Sequence, residues 1–465
     1  MGSATLCFSS DTYVSRRKTL MKSMGSGRIL LLGNDESSMN FRDNHYPYRQ
    51  DSTFLYYIGI DLPGLIAVID VDKERTTLYG NELTIDDIIW TGKVPSLQEL
   101  ANLSGINRVK PRLSVINQIK TDIHYLPPYR ADHTVLLSKL TGKKNSKAAK
   151  RYSVKLIKAI SKQRELKSQE ERSQMQEAAT ISHHMHLNVM KGARAGMKEH
   201  NLVALATQTA WEHHVALSFP PIMTINGEVL HNHYYGNELQ DGKMILFDGG
   251  CESRGRYAGD ITRTFPVGSK FSPDQKDMYD IVHRSYKRAV EVSNVETKFL
   301  DVHIAASKVI VEGLKDLGIM KGDVEDAIVN GAHTMFFQCG LGHMIGLDVH
   351  DMENFGEEYI GYTKSLKKRT DFGFKSLRLG KELKEGFCIT IEPGIYIIPD
   401  LIDLRSSEGK HKDFINYDEL DKWRDFGGIR LEDDFYIDSN GAQKLGIDIP
   451  TSSSEIEELR TQANQ

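Results

Sequence analysis

Short apolar runs alternate with polar, helix-compatible stretches over the first third of the chain. Residues 28–32 and 65–71 are apolar runs bounded by glycine and charged residues, as buried strands are, and residues 134–137 predict a third strand. Polar stretches with helical character lie at about 15–24, 83–90 and 96–103. This alternation predicts an α/β domain.

Two capping boxes predict the starts of long helices further along. Ser168 and Glu171 can each satisfy an end amide, and Ser272 with Gln275 repeats the device, with proline at the first helical position. Each start is followed by apolar residues at helical spacing. The first stripe comprises Met175, Ala178, Ala179, Ser182, Met185 and Val189, and the second Met278, Ile281, Val282, Tyr286 and Val290.

A basic stretch at residues 139–150 comes before the boundary between the two parts of the chain. It could bind phosphate, but no aromatic residues interleave with its lysines, so a solvated connecting loop is favoured. A helix-like segment at 152–168 follows. We therefore expect an N-terminal domain at 1–165 and a C-terminal domain at 166–465.

Composition excludes several classes of protein. The 465 residues are 40% apolar and 26% charged, and the net charge of −4 provides no basic field for nucleic acid. No basic segment followed by a long apolar stretch opens the chain, and no run of about 18 apolar residues predicts a membrane span. Four scattered cysteines without a CxxC pair suggest reduced thiols and a cytoplasmic protein.

Four carboxylates and one imidazole stand in apolar or glycine-rich frames: Asp248, Asp260, His343, Glu392 and Glu432. Carboxylates that converge in a buried place repel one another and raise their own pKa values, and divalent cations resolve that conflict. Oxygen ligands with a single imidazole suit Mn²⁺ better than a thiolate site would. The number of ligands predicts two ions that share bridging carboxylates.

Local patterns place each of these residues at the end of an element or within one. Asp248 ends the apolar run 244–247, and Asp260 follows 12 residues later, so a tight hairpin could put both carboxylates on one side. Glu392 follows the run 388–391. Glu432 lies in the strand-like stretch IRLEDDFYI, and His343 lies in a glycine-rich turn.

The frames GDITRTFPV, GHMIGLDVHD, TIEPGIY and GIRLEDD, in this order, resemble the pita-bread metallopeptidases: methionine aminopeptidase, prolidase and aminopeptidase P. The match runs from about residue 160 to about 457, and residues 45–64 resemble the N-terminal domain of aminopeptidase P and longer prolidases. Methionine aminopeptidase usually lacks such a domain, and creatinase shares the fold without the metal ligands. The resemblance implies a creatinase/aminopeptidase P-like α/β domain followed by a pita-bread α+β catalytic domain.

The resemblance also implies a role for each ligand. Asp248 and Asp260 would bind one ion, His343 and Glu392 would complete the second site, and Glu432 would bridge both, with Asp260 also reaching the second ion. Such a pair of ions activates a water and polarises the scissile carbonyl. Glu392 would shuttle the proton.

Further residues match substrate-contact positions of the family. His231 matches a histidine near the scissile peptide, with His233 as a substitute if the loop register slips. His350 matches a histidine on the proline side of the substrate. Arg378 in KSLR matches a prolidase arginine that holds the substrate's terminal carboxylate. Arg430 matches an arginine that orients the metal ligands.

The chain departs from the family pattern at two places. Cys339 stands where the family usually has a histidine, four residues before the metal histidine. The loop before His231 reads PPIMTINGEVLH and lacks the usual GSGEN-like run. Both departures leave the five ligands intact, so they bear on specificity more than on hydrolysis.

The leading functional hypothesis is an Xaa-Pro aminopeptidase, which takes peptides with proline at the second position. GDITRTFPV and residues 45–64 favour it, whereas SLR and FGGIRLEDD favour the alternative, an Xaa-Pro dipeptidase or prolidase. A non-catalytic pita-bread binding protein would typically lose metal ligands. A homo-oligomer, dimer or tetramer, is expected. Other histidines are expected to have surface or partly buried polar roles: His183, His184, His186, His213 and His214.

Overall fold

The computed structural model describes residues 6–119 and 123–465. Contacts divide these residues into two compact units. The first contains the described residues up to Arg164 together with Asn354–Tyr359, and the second contains Glu165–Glu353 and Ile360–Gln465. Among the described residues, no helix combines the length and the apolarity that crossing a membrane would need.

The first unit is built on a five-stranded sheet in the order β4-β3-β2-β1-β5. Its strands are β1 (Arg28–Leu32), β2 (Ile66–Asp70), β3 (Arg75–Gly80), β4 (Val109–Pro111) and β5 (Ile123–His124). The central strands pair antiparallel, and β4 and β5 each join an edge in parallel. The helices are α1 (Ser10–Met24), α2 (Ser52–Ile58), α3 (Ile85–Thr91), α4 (Leu97–Leu103), α5 (Ala131–Thr141), α6 (Asn145–Ala148) and α7 (Val154–Arg164).

Most of the predicted elements of this unit are confirmed. The strands at 28–32 and 65–71 are β1 and β2, and the three helical stretches are α1, α3 and α4. The strand predicted at 134–137 is wrong, because these residues belong to α5, which buries His133, Leu137 and Leu140 at helical spacing. The loop predicted at 139–150 is also wrong, since the end of α5 and all of α6 lie there.

The second unit contains two pairs of long helices and several short sheets. Its helices are α8 (Gln169–Gly192), α9 (Glu199–Glu212), α10 (Pro273–Val292), α11 (Phe299–Asp316), α12 (Val324–Val329), α14 (Pro399–Ser407), α15 (Tyr417–Leu420) and α16 (Ser453–Ala463), and a short helix α13 (Glu357–Ile360) begins in the first unit. Its strands are β6 (Ile222–Thr224), β7 (Met244–Gly249), β8 (Ile261–Pro266), β9 (Cys388–Ile391), β10 (Gly394–Tyr396), β11 (Gly428–Arg430), β12 (Asp433–Asp438) and β13 (Gly441–Lys444).

Both predicted capping boxes are confirmed. The Ser168 hydroxyl accepts from the Glu171 amide at the start of α8, and Ser272 does the same for Gln275 at the start of α10. The predicted apolar stripe of α8 is buried throughout. That of α10 is buried except at Val290, which is half-buried. These stripes fix which face of each long helix packs inward.

Strand pairing brings together segments of the second unit that lie far apart in the chain. Strand β7 lies between β6 and β8, and β12 lies between β9 and β13, all antiparallel. An isolated bridge between Thr262 and Glu432 joins β8 to the segment before β12. A second bridge, between Met344 and Ile389, joins β9 to the chain after His343.

Candidate metal centre

The five residues predicted as metal ligands line one cavity of about 230 Å³ in the second unit. Three further predicted site residues, His231, His350 and Arg430, line it as well. The structure therefore brings together residues that lie far apart in the chain: Asp248, Asp260, His343, Glu392 and Glu432.

Asp248 and Asp260 are held by the antiparallel pair β7 and β8. Asp248 lies in β7 opposite Thr262, and Asp260 directly precedes β8. Between them the chain turns at 252–258, where Glu252 bridges Ala258. A Cβ on Gly250 would lie 1.8 Å from the carbonyl oxygen of Gly259, so glycine is needed where the two arms of this turn cross.

Glu432 is held by an exchange of hydrogen bonds with β8. Its amide donates to the Thr262 carbonyl at 3.1 Å, and the Thr262 amide donates to the Glu432 carbonyl at 3.3 Å. The Thr262 hydroxyl also donates to Glu432 Oε2 at 2.6 Å. The single strand predicted around Glu432 is wrong, because the chain leaves β11 at Arg430 and enters β12 only at Asp433.

His343 and Glu392 are positioned by β9. The His343 amide donates to the Thr390 hydroxyl at 3.1 Å, and the Thr390 amide donates to the His343 carbonyl at 3.0 Å. His343 Nδ1 lies 3.0 Å from the Met344 carbonyl, which places the ring proton there and leaves Nε2 as an acceptor. That Nε2 lies 3.5 Å from Asp260 Oδ2 and 3.7 Å from Glu392 Oε1.

The acids of this cavity are strongly perturbed. Burial raises the pKa of Asp260 well above its usual value, and the charge of Asp248 raises it further. Burial and the charges of Asp260 and Glu392 do the same to the pKa of Glu432. The pKa of Glu392 rises to about 7, because burial and the neighbouring acids outweigh His343 and Arg430. Such a cluster favours either protonation or a bound cation.

The residues fit a divalent cation. Ligand atoms of Asp260, His343 and Glu432 all lie within 4.8 Å of one another. Oδ1 of Asp248 and Oδ1 of Asp260 are buried without a hydrogen-bond partner. A buried carboxylate oxygen without a donor is costly, and a cation would satisfy it. Four carboxylates and one imidazole are the ligands expected of a hard or borderline metal.

Arg430 forms hydrogen bonds with side chains of three strands around the cavity, β7, β8 and β10. Its Nη2 donates to Asp248 Oδ2 at 2.6 Å, its Nε to the Thr262 hydroxyl at 3.2 Å, and its Nη1 to the Tyr396 hydroxyl at 2.8 Å. The guanidinium is buried, so its charge acts on the acids with little screening. It partly offsets their mutual repulsion and fixes the orientation of Asp248.

The predicted substrate-contact residues lie at different depths. His231 lines the cavity in the loop between β6 and β7 and is exposed. The ring of His350 lies 4.2 Å from the ring of His343, between centroids. Arg378 contacts Glu353, which in turn accepts from His350 Nδ1 at 2.5 Å. His233 also lines the cavity.

Glu353 is a site residue that the sequence analysis missed. In the sequence Glu353 follows His350 by three residues, a spacing that carries no signal by itself. Its second partner, Arg378, lies 25 residues away in the chain. Only the folded structure shows that one carboxylate serves both residues.

Cys339 lines the cavity beside the predicted ligands. Its Sγ lies 3.9 Å from the Tyr396 hydroxyl. Burial raises the pKa of the thiol to about 12, and the charge of Glu392 contributes. Cys339 is therefore a neutral, weakly polar part of the wall at neutral pH, without the strong hydrogen bonding that an imidazole would offer.

Two of the histidines outside the predicted site differ from expectation. His183 and His186 of α8 are fully buried, whereas surface or partly buried roles were expected. His183 Nε2 lies 3.1 Å from Asp433 Oδ1, and His186 Nε2 lies 3.0 Å from the Gly249 carbonyl. His183 thus contacts β12, and His186 contacts β7. His184 is half-buried, and His213 and His214 are exposed.

Comparison with protein families gives two matches. Residues 173–439 match the model for Metallopeptidase family M24. Residues 13–126 match the model for Aminopeptidase P, N-terminal domain.

Similar proteins and structures extend over nearly the whole chain. An Xaa-Pro aminopeptidase of Escherichia coli K12 is 29% identical, covering 98% of this chain and 99% of its own. An Xaa-Pro dipeptidase of Homo sapiens is 30% identical, covering 92% and 87%. The solved structure of aminopeptidase P from E. coli with the inhibitor Pro-Leu has a TM-score of 0.81 at 28% identity, covering 98% and 99%.

Proposed function

The chain belongs to Metallopeptidase family M24, and on that premise we propose that it removes the N-terminal residue from peptides with proline at the second position. The observation that carries this proposal is the convergence of four carboxylates and one imidazole in one cavity. The names of the similar proteins, Xaa-Pro aminopeptidase and Xaa-Pro dipeptidase, supply the substrate class. The predicted resemblance to pita-bread metallopeptidases and the predicted fold class are confirmed.

We assign the metal ligands as the resemblance implied. Asp248 and Asp260 would hold one ion, His343 and Glu392 the other, with Glu432 shared and Asp260 also reaching the second. Mn²⁺ is the proposed metal, because oxygen ligands dominate the set. When bound, two such ions supply Lewis acidity toward the scissile carbonyl and lower the pKa of a water.

The chain's own residues orient the substrate and move protons. Glu392 is the proposed base and acid: its carboxyl group lines the cavity beside His343, where it can take a proton from water and deliver it to the leaving nitrogen. His231 lines the cavity and can donate a hydrogen bond to the substrate, whereas His350, whose Nδ1 proton is donated to Glu353, offers Nε2 to the substrate as an acceptor. Apolar side chains of the same cavity limit access of water: Phe219, Pro220, Ile222, Leu230 and Val349.

A specific observation favours Xaa-Pro dipeptidase activity as the second candidate. Arg378 does not line the cavity itself, but it contacts Glu353, which accepts a hydrogen bond from the cavity-lining His350. An arginine there could bind the terminal carboxylate of a dipeptide. The dipeptidase of Homo sapiens is about as similar to this chain as the aminopeptidase of E. coli.

Three broader assignments accompany this proposal. We assign residues 1–165 to an aminopeptidase P-like N-terminal domain and 166–465 to the catalytic domain. A dimer or tetramer stays a prediction from the resemblance. A cytoplasmic location also stays a prediction, and it rests on cysteine usage, since none of the four cysteines, all within the described residues, forms a disulfide.

Steady-state hydrolysis of three peptides by manganese-loaded protein tests the activity. We expect release of alanine from Ala-Pro-Ala and at least about a hundredfold lower kcat/KM for Ala-Ala-Ala, a difference of about 2.7 kcal/mol in transition-state binding. The ratio of rates on Ala-Pro-Ala and Gly-Pro separates the aminopeptidase from the dipeptidase. Equal hydrolysis of the proline and alanine tripeptides, or hydrolysis of neither, would contradict the proposal.

A further inference from the structure

His350, Glu353 and Arg378 form a cluster at the edge of the metal cavity, which we call the rim cluster. Glu353 begins a short 3₁₀ turn, Glu353–Phe355, and its amide donates to the His350 carbonyl at 3.2 Å. Its Oε2 accepts from His350 Nδ1 at 2.5 Å, and its Oε1 accepts from Arg378 Nη1. One carboxylate thus joins two of the three residues predicted to contact the substrate, His350 and Arg378.

Glu353 is ionised at neutral pH. Its burial raises its pKa, but the hydrogen bond from His350 and the charge of Arg378 outweigh burial and hold the pKa below its usual value. The side chains of the rim cluster are each about one-third exposed, so a substrate can reach them. Lys368 is a further cation near the cluster, since Glu353 and Arg378 both act on its pKa.

We propose, on the basis of the Xaa-Pro activity proposed above, that Glu353 competes with the substrate's terminal carboxylate for Arg378 and thereby selects peptides that extend beyond the proline. A dipeptide would bring its own carboxylate to a guanidinium that already contacts one. The two carboxylates would repel each other. If Arg378 bound both, its charge-assisted hydrogen bond to Glu353 would weaken. Discrimination by such a repulsive element needs no contact with the longer peptide.

An extended peptide avoids this conflict. Its carboxylate lies at least one residue further from the scissile bond, and a neutral amide follows the proline instead. An amide carries no charge to repel Glu353, and its N–H can donate to a carboxylate. The same rim cluster therefore disfavours a dipeptide and tolerates a tripeptide.

The test compares Ala-Pro with its amide, Ala-Pro-NH₂, because the two differ only in the terminal carboxylate. Wild-type protein should hydrolyse the amide with the higher kcat/KM. The Glu353→Gln variant should gain about tenfold in kcat/KM for Ala-Pro, mainly through KM. Its kcat/KM for the amide should change by less than about twofold. If the substitution also disturbs the orientation of His350, kcat/KM should fall equally for Ala-Pro and for Ala-Pro-NH₂. The ratio of the two values therefore reports the effect of the substrate's terminal carboxylate alone.

Two matched variants complete the design. Glu353→Asp keeps the charge and should keep the wild-type ratio. Arg378→Ala added to Glu353→Gln should abolish the gain for Ala-Pro, because the guanidinium that binds the carboxylate is gone. Glu353→Ala provides a second charge-free variant if the glutamine variant is poorly folded by circular dichroism.

An unchanged ratio of Ala-Pro to Ala-Pro-NH₂ in both charge-free variants would overturn the inference and leave Glu353 as a residue that only positions His350. That outcome differs from failure of the proposed function. In the latter case the wild-type protein would hydrolyse neither of these substrates nor Ala-Pro-Ala.

Discussion

Opposing effects set the pKa of Glu392. Burial and the charges of Asp260 and Asp248 raise its pKa, whereas His343 and Arg430 lower it, and the balance is a value of about 7. A general base works best when its pKa is near the operating pH. In a metal-bound site the added positive charge would lower this pKa below 7, so the side chain would be ionised and available to accept a proton.

Replacing Glu392 by glutamine should remove most of the turnover. The amide keeps the shape of the side chain but cannot accept and return a proton, so we expect kcat to fall by about 10²- to 10⁴-fold. Glu385→Gln, an exposed acid just before β9, is the matched control and should retain full activity. Metal content must be measured with the rate, and a fully loaded Glu392→Gln protein with wild-type kcat would refute the role.

Some residues of the site could be predicted from the sequence, and others could not. All five proposed ligands could be picked out because each stands in a distinctive frame, and the structure places them in one cavity. Glu353 could not, because its role depends on Arg378, which a local pattern does not connect to it. Arg430 was expected to orient a ligand, and it donates to Asp248.

Among the elements, the segment that carries Glu432 changes partner along its length. Strand β11 pairs with β10, strand β12 pairs with β9, and Glu432 between them pairs with Thr262. The sequence shows one apolar and acidic stretch and therefore predicts one strand. A change of pairing partner depends on distant segments, so periodicity alone does not reveal it.

Thr262 is the contact through which β8 orients Glu432. Its hydroxyl donates to Glu432 Oε2 at 2.6 Å and accepts from Arg430 Nε at 3.2 Å. Thr262→Val keeps the shape and removes both hydrogen bonds, so manganese affinity should fall by about 10- to 100-fold. Thr262→Ser retains the hydroxyl and should bind almost as the wild type does. Titration calorimetry on metal-free proteins measures this, and equal affinities for valine and serine variants would exclude the orienting role.

Capping boxes and apolar runs had different predictive value. Ser168 and Ser272 located the starts of α8 and α10, because a cap satisfies specific backbone amides at a defined spacing. The four-residue run at 134–137 was assigned to the wrong element, because so short an apolar run fits a strand or a buried helical turn equally. The burial of His133 and Leu140 on either side of it favours the helix in the structure.

For the whole molecule, the central feature is the convergence of negative charge in a buried place. The acids come from three separate stretches of the second unit: the β7–β8 pair, the end of β9 and the junction before β12. Strand pairing sets their distances: the sequence itself indicated the hairpin that carries Asp248 and Asp260, whereas the approach of His343, Glu392 and Glu432 came only from the family resemblance. Unpartnered oxygens of Asp248 and Asp260 mark where a cation would stabilise the arrangement.

The most direct test is the rate of alanine release from Ala-Pro-Ala by chelator-treated protein during titration with Mn²⁺. We expect no release from metal-free protein, a rise on addition of metal, and saturation at about two ions per chain, as a two-metal site requires. Full activity in protein shown by elemental analysis to be free of metal would contradict it, as would inactivity of the fully loaded protein.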